Sequence, residues 1–326
     1  MAARRVGEVA RSEPDAVVKN TRVTIPSGAL IRCGTLKPSP FEYFAPDTVE
    51  EALALLGQYG DEARPLAGGQ SLVPMMSFRL ARPAVLIDLN RIQELSDISN
   101  DGSTATVGAL VREKAAERSE DLARTVPLMA RALPLIGHEA IRSRGTIGGS
   151  LAHSDPAAEL PAVAVATGAT ISASSEARGT RTVAAEDFFV SHFTTALEAD
   201  ELLTAVSFPV AAPGTAVAFE EMARRHGDYA IVGVATSFHV SDGTIDQARI
   251  VLTGVGATPA RVGRAEAVLV GSAPSKAVFA EAAGEASADL DPPSDLHGTA
   301  AYRRHVAGVL IRRSLERAAS EIGAPL

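Results

Sequence analysis

The chain has 326 residues, of which 46% are hydrophobic and 21% charged, with a formal net charge of −8. That length exceeds the roughly 250–300 residues at which single cores stop growing, so two or three cores are expected, and the acidic balance argues against nucleic acid or an anionic membrane as partner. Cys33 is the single cysteine, which excludes an internal disulfide and an iron–sulfur cluster held by this chain alone, since such clusters usually need four thiolates.

Residues 1–35 show little apolar periodicity and read as a flexible N-terminal extension. Arg4 and Arg5 have no apolar stretch behind them, so no secretory signal is read and the cytoplasm is the expected location. The first strong signals come from "LKPSPFEYFAPDTVEEALALLGQYG". Thr48 with Glu51 three positions on predicts a capping box, Val49, Ala52, Leu53 and Leu56 form one apolar stripe, and Gly60 supplies the stop. A strand at "RPLA", a loop "GGQS", a helix through "LVPMMSFRL" and a strand "VLIDL" complete a small α/β unit.

From about residue 95 the pattern changes. "NDGS" predicts a hairpin before the strand "TATVGAL", and "PLMARALPLIG" predicts a helix. "AAPGT" at 211–215 is read as a seam between domains. Beyond it, Asp242-Gly243 marks the turn of a long hairpin, and three helical patterns finish the chain, the last from about Thr299 to Ile322. No apolar run approaches the roughly 18 residues of a membrane span. The seven histidines have neither zincin spacing nor a cysteine partner, so redox chemistry here calls for an organic cofactor.

Two glycine loops carry the functional signal. In "PLAGGQSLVPM" a strand is followed by Gly68, Gly69, Gln70 and Ser71 and then a helix. Glycines allow the backbone to come close to a ligand, and N–H groups at a helix start favour an anion. No Gly-Lys-Ser/Thr follows, so this is not a P-loop. "GVGATPA" at 254–260 lacks the third glycine of a dinucleotide motif. The second loop, Gly145-Thr146-Ile147-Gly148-Gly149-Ser150, has the same design with two hydroxyls to spare. After it, Asp155 suits an N-cap and Pro156 the first helical position, which leaves Pro161 inside the predicted helix without explanation. Each loop alone could be a tight turn; two uncharged ones point to a diphosphate held by backbone, hence to a nucleotide cofactor.

"PLAGGQSLVPMM", "LIDL", "RSRGTIGGSLAHSDPAAELPA", "TALEADELL", "RRHGDYA" and "AYRRHVAGVL" occur in this order from Lys37 onward. In these motifs the sequence resembles the FAD-binding medium subunit of molybdenum hydroxylases, the group of carbon monoxide dehydrogenase and the flavin domain of xanthine dehydrogenase. The resemblance implies an α+β protein with a two-subdomain, PCMH-type FAD-binding fold over 36–212, divided near 94/95. It also implies a C-terminal domain of a small antiparallel sheet plus helices over 213–326.

Leu66, Ala67, Gly68, Gly69, Gln70, Ser71 and Leu72, with Gly145, Thr146, Ile147, Gly148, Gly149 and Ser150, are implied to wrap the FAD. His153, Asp155, Glu159, Leu203 and Tyr229 are added as contacts, Tyr229 where some relatives stack an aromatic ring on the flavin. By their residue types alone, His153 also reads as a loop histidine bonded to backbone and Tyr229 as a core or rim residue. Glu220 stands where some xanthine dehydrogenase relatives carry a cofactor-contacting lysine, so that contact is expected to be altered.

The resemblance further implies electron transfer from [2Fe–2S] clusters of a small partner subunit through FAD to an external acceptor such as NAD, quinone or oxygen. A large partner holding the molybdenum cofactor would oxidise the substrate. No residue of this chain is read as a catalytic acid, base or nucleophile, and no metal is expected in it. A stand-alone flavin oxidoreductase and a flavin-free structural subunit are the competing readings.

Arg303, Arg304, Arg312, Arg313 and Arg317 form either a solvated face or a docking surface on the last helix, and Phe188 and Phe189 a core or a cleft wall. Leu36 stands where relatives begin with methionine. Residues 1–35 are therefore expected to be either a genuine disordered extension or an over-extended reading frame, which N-terminal sequencing distinguishes.

Overall fold

The computed structural model describes residues 37–324; the readings made of residues 1–35, Cys33 among them, and of Leu36 lie outside the described residues. The first unit holds β1 (Glu42–Phe44), α1 (Val49–Tyr59), β2 (Ala63–Leu66), α2 (Leu72–Ser77) and β3 (Val85–Asp88). Its strands run parallel in the order β1-β3-β2. Thr48 caps α1 by accepting from the Glu51 N–H at 3.2 Å. Glu51 returns a bond to the Asp47 N–H at 2.8 Å, one residue ahead of the usual box. Ala52, Leu53 and Leu56 are buried against the sheet, as their spacing predicts.

Next come β4 (Ile98–Asn100), β5 (Thr104–Gly108), α3 (Glu113–Glu117), α4 (Glu120–Thr125), α5 (Pro127–Ala132), α6 (Glu139–Arg142), α7 (Ile147–His153) and α8 (Glu159–Thr167). They are followed by β6 (Thr170–Ser175), β7 (Gly179–Ala184), α9 (Ala185–Phe188), β8 (Phe189–Ser191), β9 (Thr194–Thr195) and β10 (Leu202–Pro209). An antiparallel sheet of order β4-β5-β10-β6-β7 results. The helix predicted over "PLMARALPLIG" stops at Ala132 and gives way to a tighter 3₁₀ turn over Leu133–Leu135. Pro134 has no N–H to donate and its ring crowds the preceding turn.

The last unit is the antiparallel sheet β11 (Thr215–Ala223), β12 (Ala230–Ser241), β13 (Thr244–Thr253) and β14 (Ala260–Arg261), with α10 (Gly263–Leu269), α11 (Lys276–Asp289) and α12 (Ala300–Glu321). Asp242 and Gly243 turn β12 into β13 with φ of 49° and 77°, the left-handed pair that a two-residue hairpin favours. Ala216, Ala218, Val232 and Val234 face the three helices. Val217, Phe219, Ala235 and Val251 face the other way and join the core of the five-stranded sheet.

Helix α8 lies in that shared core and is buried from Glu159 through Ala166. A helix apolar all round suits such a position between two sheets. Phe188 and Phe189 belong to the same core, edge to face at 5.2 Å. The arginines of the last helix are largely tied down. Arg303 is buried, donating to the carbonyls of Ile231 and Gly254 and pairing with Asp295 at 2.7 Å. Arg304, Arg312 and Arg317 each meet a carboxylate.

Candidate functional site

The two glycine loops lie against each other. A Cβ at Gly68 would stand 2.3 Å from the Arg144 carbonyl oxygen, so only glycine permits that contact. A clamp holds it. Asn90 donates to the Ala67 carbonyl at 2.9 Å, and Arg112 bonds Asn90 Oδ1 at 2.5 Å and the Arg144 carbonyl. Asp88 accepts from Asn90 and from the Tyr43 hydroxyl, whose pKa is pushed up to about 12 by burial and then by that bond. Sequence reasoning singled out "LIDL" but missed Asn90 and Arg112, whose role depends on contacts distant along the chain.

The loops differ in what their backbones offer. Gly69 has a φ of 73°, a left-handed conformation that turns the chain into α2. Among the described residues, the N–H groups of Gly69, Gln70 and Ser71 have no acceptor, while the Gln70 side chain bonds the Gly68 carbonyl at 3.1 Å. Leu66 ends β2 and Leu72 begins α2.

The second stretch is a loop only as far as Thr146, which caps α7 from Ile147 onward, and its N–H groups are spent inward. Gly145 donates to Ile141, Ile147 to Val111, Gly148 to Ala109 and Ser150 to Thr146, and Gly149 bonds the Thr146 hydroxyl. A Cβ at Gly148 would lie 2.7 Å from the Ala109 Cα, and one at Gly145 would lie 2.3 Å from the Glu113 carboxylate. The room that the sequence reading reserved for a ligand beside Gly68, Gly145 and Gly148 is therefore filled by protein.

Asp155 does not cap a helix at Pro156. Its carboxylate accepts from the Ala157 N–H at 2.8 Å in a local turn, and α8 starts only at Glu159. Pro161 thus falls in the first turn, where a missing N–H costs nothing. The Pro156 carbonyl takes the Gly254 N–H at 2.8 Å, so the start of "GVGATPA" fastens the end of β13 to the turn before α8.

Three carboxyls converge beside this turn. Glu159 and Glu113 are each 4% exposed. Burial, then Glu221, raises the Glu159 pKa to about 8, with smaller contributions from Glu113 and Asp155. Burial raises Glu113 and Glu221 to about 7, with Arg142 opposing it at Glu113. Among the described residues, one buried oxygen of Glu113 and one of Glu221 find no hydrogen-bond partner.

Glu220, marked by the sequence as the altered cofactor contact, points the other way and pairs with Arg317 of α12 at 2.7 Å. Successive residues of a strand face opposite sides, so it is Glu221 that faces the five-stranded half.

Tyr229 is 57% exposed, yet its hydroxyl comes within reach of Ser71 and feels Asp155, Glu159 and Glu113. Burial and those acids raise its pKa. His153 ends α7 with its ring 5.1 Å from that of Phe193, and burial lowers its pKa. Leu203 is buried in the core on β10, next to Thr204, whose carbonyl holds the Ala109 N–H. The residues present fit a flavin nucleotide: free N–H donors on one loop, a rigid second loop, an aromatic ring at the opening and unpartnered acid oxygens within.

Residues 39–211 match the family described as the FAD binding domain in molybdopterin dehydrogenase, and 217–318 match the CO dehydrogenase flavoprotein C-terminal domain. The chain belongs to this flavoprotein family. It is 42% identical to the 6-hydroxypseudooxynicotine dehydrogenase complex subunit alpha of Paenarthrobacter nicotinovorans, over 87% of this chain and 96% of that one. The carbon monoxide dehydrogenase structure from Hydrogenophaga pseudoflava superposes with a TM-score of 0.84 at 42% identity, over 87% of this chain and 98% of that one. Quinoline 2-oxidoreductase from Pseudomonas putida 86 gives 0.84's near equal, a TM-score of 0.83 at 38% identity, over 88% and 99% of the two chains. The flavoprotein is thus an oxidoreductase of α+β architecture with a FAD-binding domain. Among its described residues, no helix is long and apolar enough to cross a membrane, and no group of three or more His, Cys, Asp or Glu could hold a metal ion.

Proposed function

We propose that this chain is the FAD-carrying electron-transfer subunit of a heteromeric molybdenum hydroxylase in the cytoplasm. The observation that carries the reading is the first loop: free N–H groups at Gly69, Gln70 and Ser71, clamped through Asn90 and Arg112 against a second loop. Those N–H groups hold the diphosphate, with Ala67, Gly68, Leu66 and Leu72 beside it. Gly145 through Ser150 form the rigid opposite wall, with Ser150 supplying a hydroxyl, the buried Thr146 hydroxyl capping α7 at the Gly149 N–H instead, and Leu203 packing behind. Tyr229 covers the flavin ring, Asp155 and Glu159 lie at its side, and His153 stands at the far end of α7.

FAD, when bound, supplies the exchange of single electrons with clusters and of pairs with an acceptor. The residues of this chain bind it, orient it and exclude water from it; none acts as a nucleophile. The partners in this reading are a small subunit with [2Fe–2S] clusters and a large subunit with the molybdenum cofactor, with NAD, quinone or oxygen as external acceptor. Relatives named as a complex subunit and as a carbon monoxide dehydrogenase support it. Domain limits at 36–212, with a division near 94/95, and at 213–326 accord with the two family matches and the three larger sheets.

The test is a FAD titration of the purified full chain followed by absorption and thermal unfolding. At a hundredfold excess over Kd, binding adds about 2.7 kcal/mol of stability. A flavin spectrum with a raised midpoint is the expected result; neither, in the chain alone and in the complex co-expressed with its partners, would overturn the reading.

A further inference from the structure

We propose that Glu159 presents a protonated carboxyl to the flavin, and that Glu113 and Glu221 are positioning residues that hold its proton there. The inference rests on the placement of FAD given above and adds the chemistry of its acidic side.

The three groups come from α8, α3 and β11, so only the folded chain assembles them. Glu113 and Glu159 are nearly inaccessible, and Glu113 and Glu221 each keep one buried oxygen without a partner. Several negative charges cannot persist so close together in a medium of low polarity.

The charged and titratable neighbours give no relief to Glu159. Asp155 on the preceding turn adds repulsion, and the Tyr229 hydroxyl is itself held neutral, by burial first and then by the same acids. Arg142, from α6, acts on Glu113 but is committed to Glu117 and to the carbonyls of Ile136 and Gly137. Arg112 is occupied in the loop clamp by its guanidinium, and the Arg144 side chain is exposed; neither is among the groups that act on Glu159. The opening of α8 and the Glu159 N–H favour a carboxylate, a smaller influence than the burial.

The acids therefore titrate as a unit. Burial opposes ionisation of all three, and charge on Glu221 and Glu113 adds to the burial that keeps the proton on Glu159, raised to about 8. The edge of a flavin carries carbonyl oxygens as well as a ring N–H. A neutral carboxyl can donate to the former and accept from the latter, whereas a carboxylate can only accept. Ionisation of Glu159 is thus expected to weaken FAD binding.

The experiment measures FAD affinity of the full-length apoprotein by flavin fluorescence from about pH 6 to pH 9, across the range in which the three acids titrate. His153, lowered by burial, is neutral over most of that range. The parent chain is expected to lose affinity above about pH 8, approaching tenfold per unit once Glu159 is ionised. Glu159→Gln, with a permanent N–H donor, is expected to give a flat profile. Glu221→Gln and Glu113→Gln are each expected to move the fall toward lower pH, because a repelling charge is gone.

Calorimetry of the parent chain at about pH 8.5 in two buffers of different ionisation enthalpy should show proton uptake on binding, and needs no variant to fold. FAD binding with a flat profile and no proton uptake would overturn the inference while leaving the flavin site standing. So would Gln at 113 and 221 leaving the fall where it was. Absence of FAD binding by the parent at every pH would overturn the site and this inference together.

Discussion

Residues 68–71 and 145–150 both contain paired glycines, the first ahead of α2 and the second in the first turn of α7, and they use their backbones in opposite ways. The first leaves the N–H groups of Gly69, Gln70 and Ser71 unpaired, and the second turns those of Ile147, Gly148, Gly149 and Ser150 into the protein. One stretch keeps its donors open, and the other is the surface against which the first is pressed. A glycine cluster therefore signals close approach without saying what approaches. At Gly148 the partner is Ala109, and at Gly68 it is the other loop.

The contrast can be broken most severely at Gly148. Gly148→Val sets a branched side chain against the Ala109 backbone, where even a Cβ would lie at 2.7 Å. Overpacking of this kind costs about 3 kcal/mol, so urea unfolding should show a large loss of stability whether or not FAD is present. A variant as stable as the parent would contradict the structural role of the second loop.

Gly68→Ala is the complementary change. Its Cβ would push the Arg144 carbonyl away and part the loops. A cost of about 1.4 kcal/mol in the bound arrangement corresponds to a tenfold loss of FAD affinity, measurable by fluorescence titration, with a smaller effect on unfolding than Gly148→Val.

The acid cluster adds a dependence on pH. A carboxyl whose folded value lies above its ordinary 4.5 binds its proton more tightly when folded. Its contribution is complete below pH 4.5 and is lost as pH rises through 7 for Glu113 and Glu221 and 8 for Glu159. Without FAD, the melting temperature should therefore fall between about pH 5 and pH 9, by on the order of 3 °C for each kcal/mol lost. Glu221→Gln should flatten part of that slope, and scanning calorimetry in matched buffers checks it. The smallest expected effect is a control away from both loops: Thr48→Ala removes the α1 cap and costs about 1 kcal/mol of stability with FAD affinity unchanged.

Local features of the fold were legible in the sequence. Thr48 makes the expected cap, the last helix starts beside Thr299 as expected, and Asp242-Gly243 makes the expected turn. Pro161 misled, because the helix it seemed to interrupt begins at Glu159 rather than at Pro156. Asp155 had two uses open to it, a helix cap or a local turn, and contacts from Gly254 and Thr253 to the Pro156 carbonyl accompany the turn. At the site, the motifs located both loops but not the clamp. Asn90 and Arg112 carry no pattern of their own, and their meeting depends on β3 and the segment after β5 lying side by side.

What the sequence determined by itself is whatever depends on neighbours a few residues apart: caps, turns, apolar stripes, and the glycine loop placed between β2 and α2. Tertiary structure alone decided which side of β11 faces the site, and so that Glu221 rather than Glu220 joins Glu113 and Glu159. It alone decided which loop keeps its N–H groups free. Both outcomes turn on burial and on hydrogen-bond partners from distant segments, and a strand's alternation is silent about which of its faces will be covered until the sheets have packed.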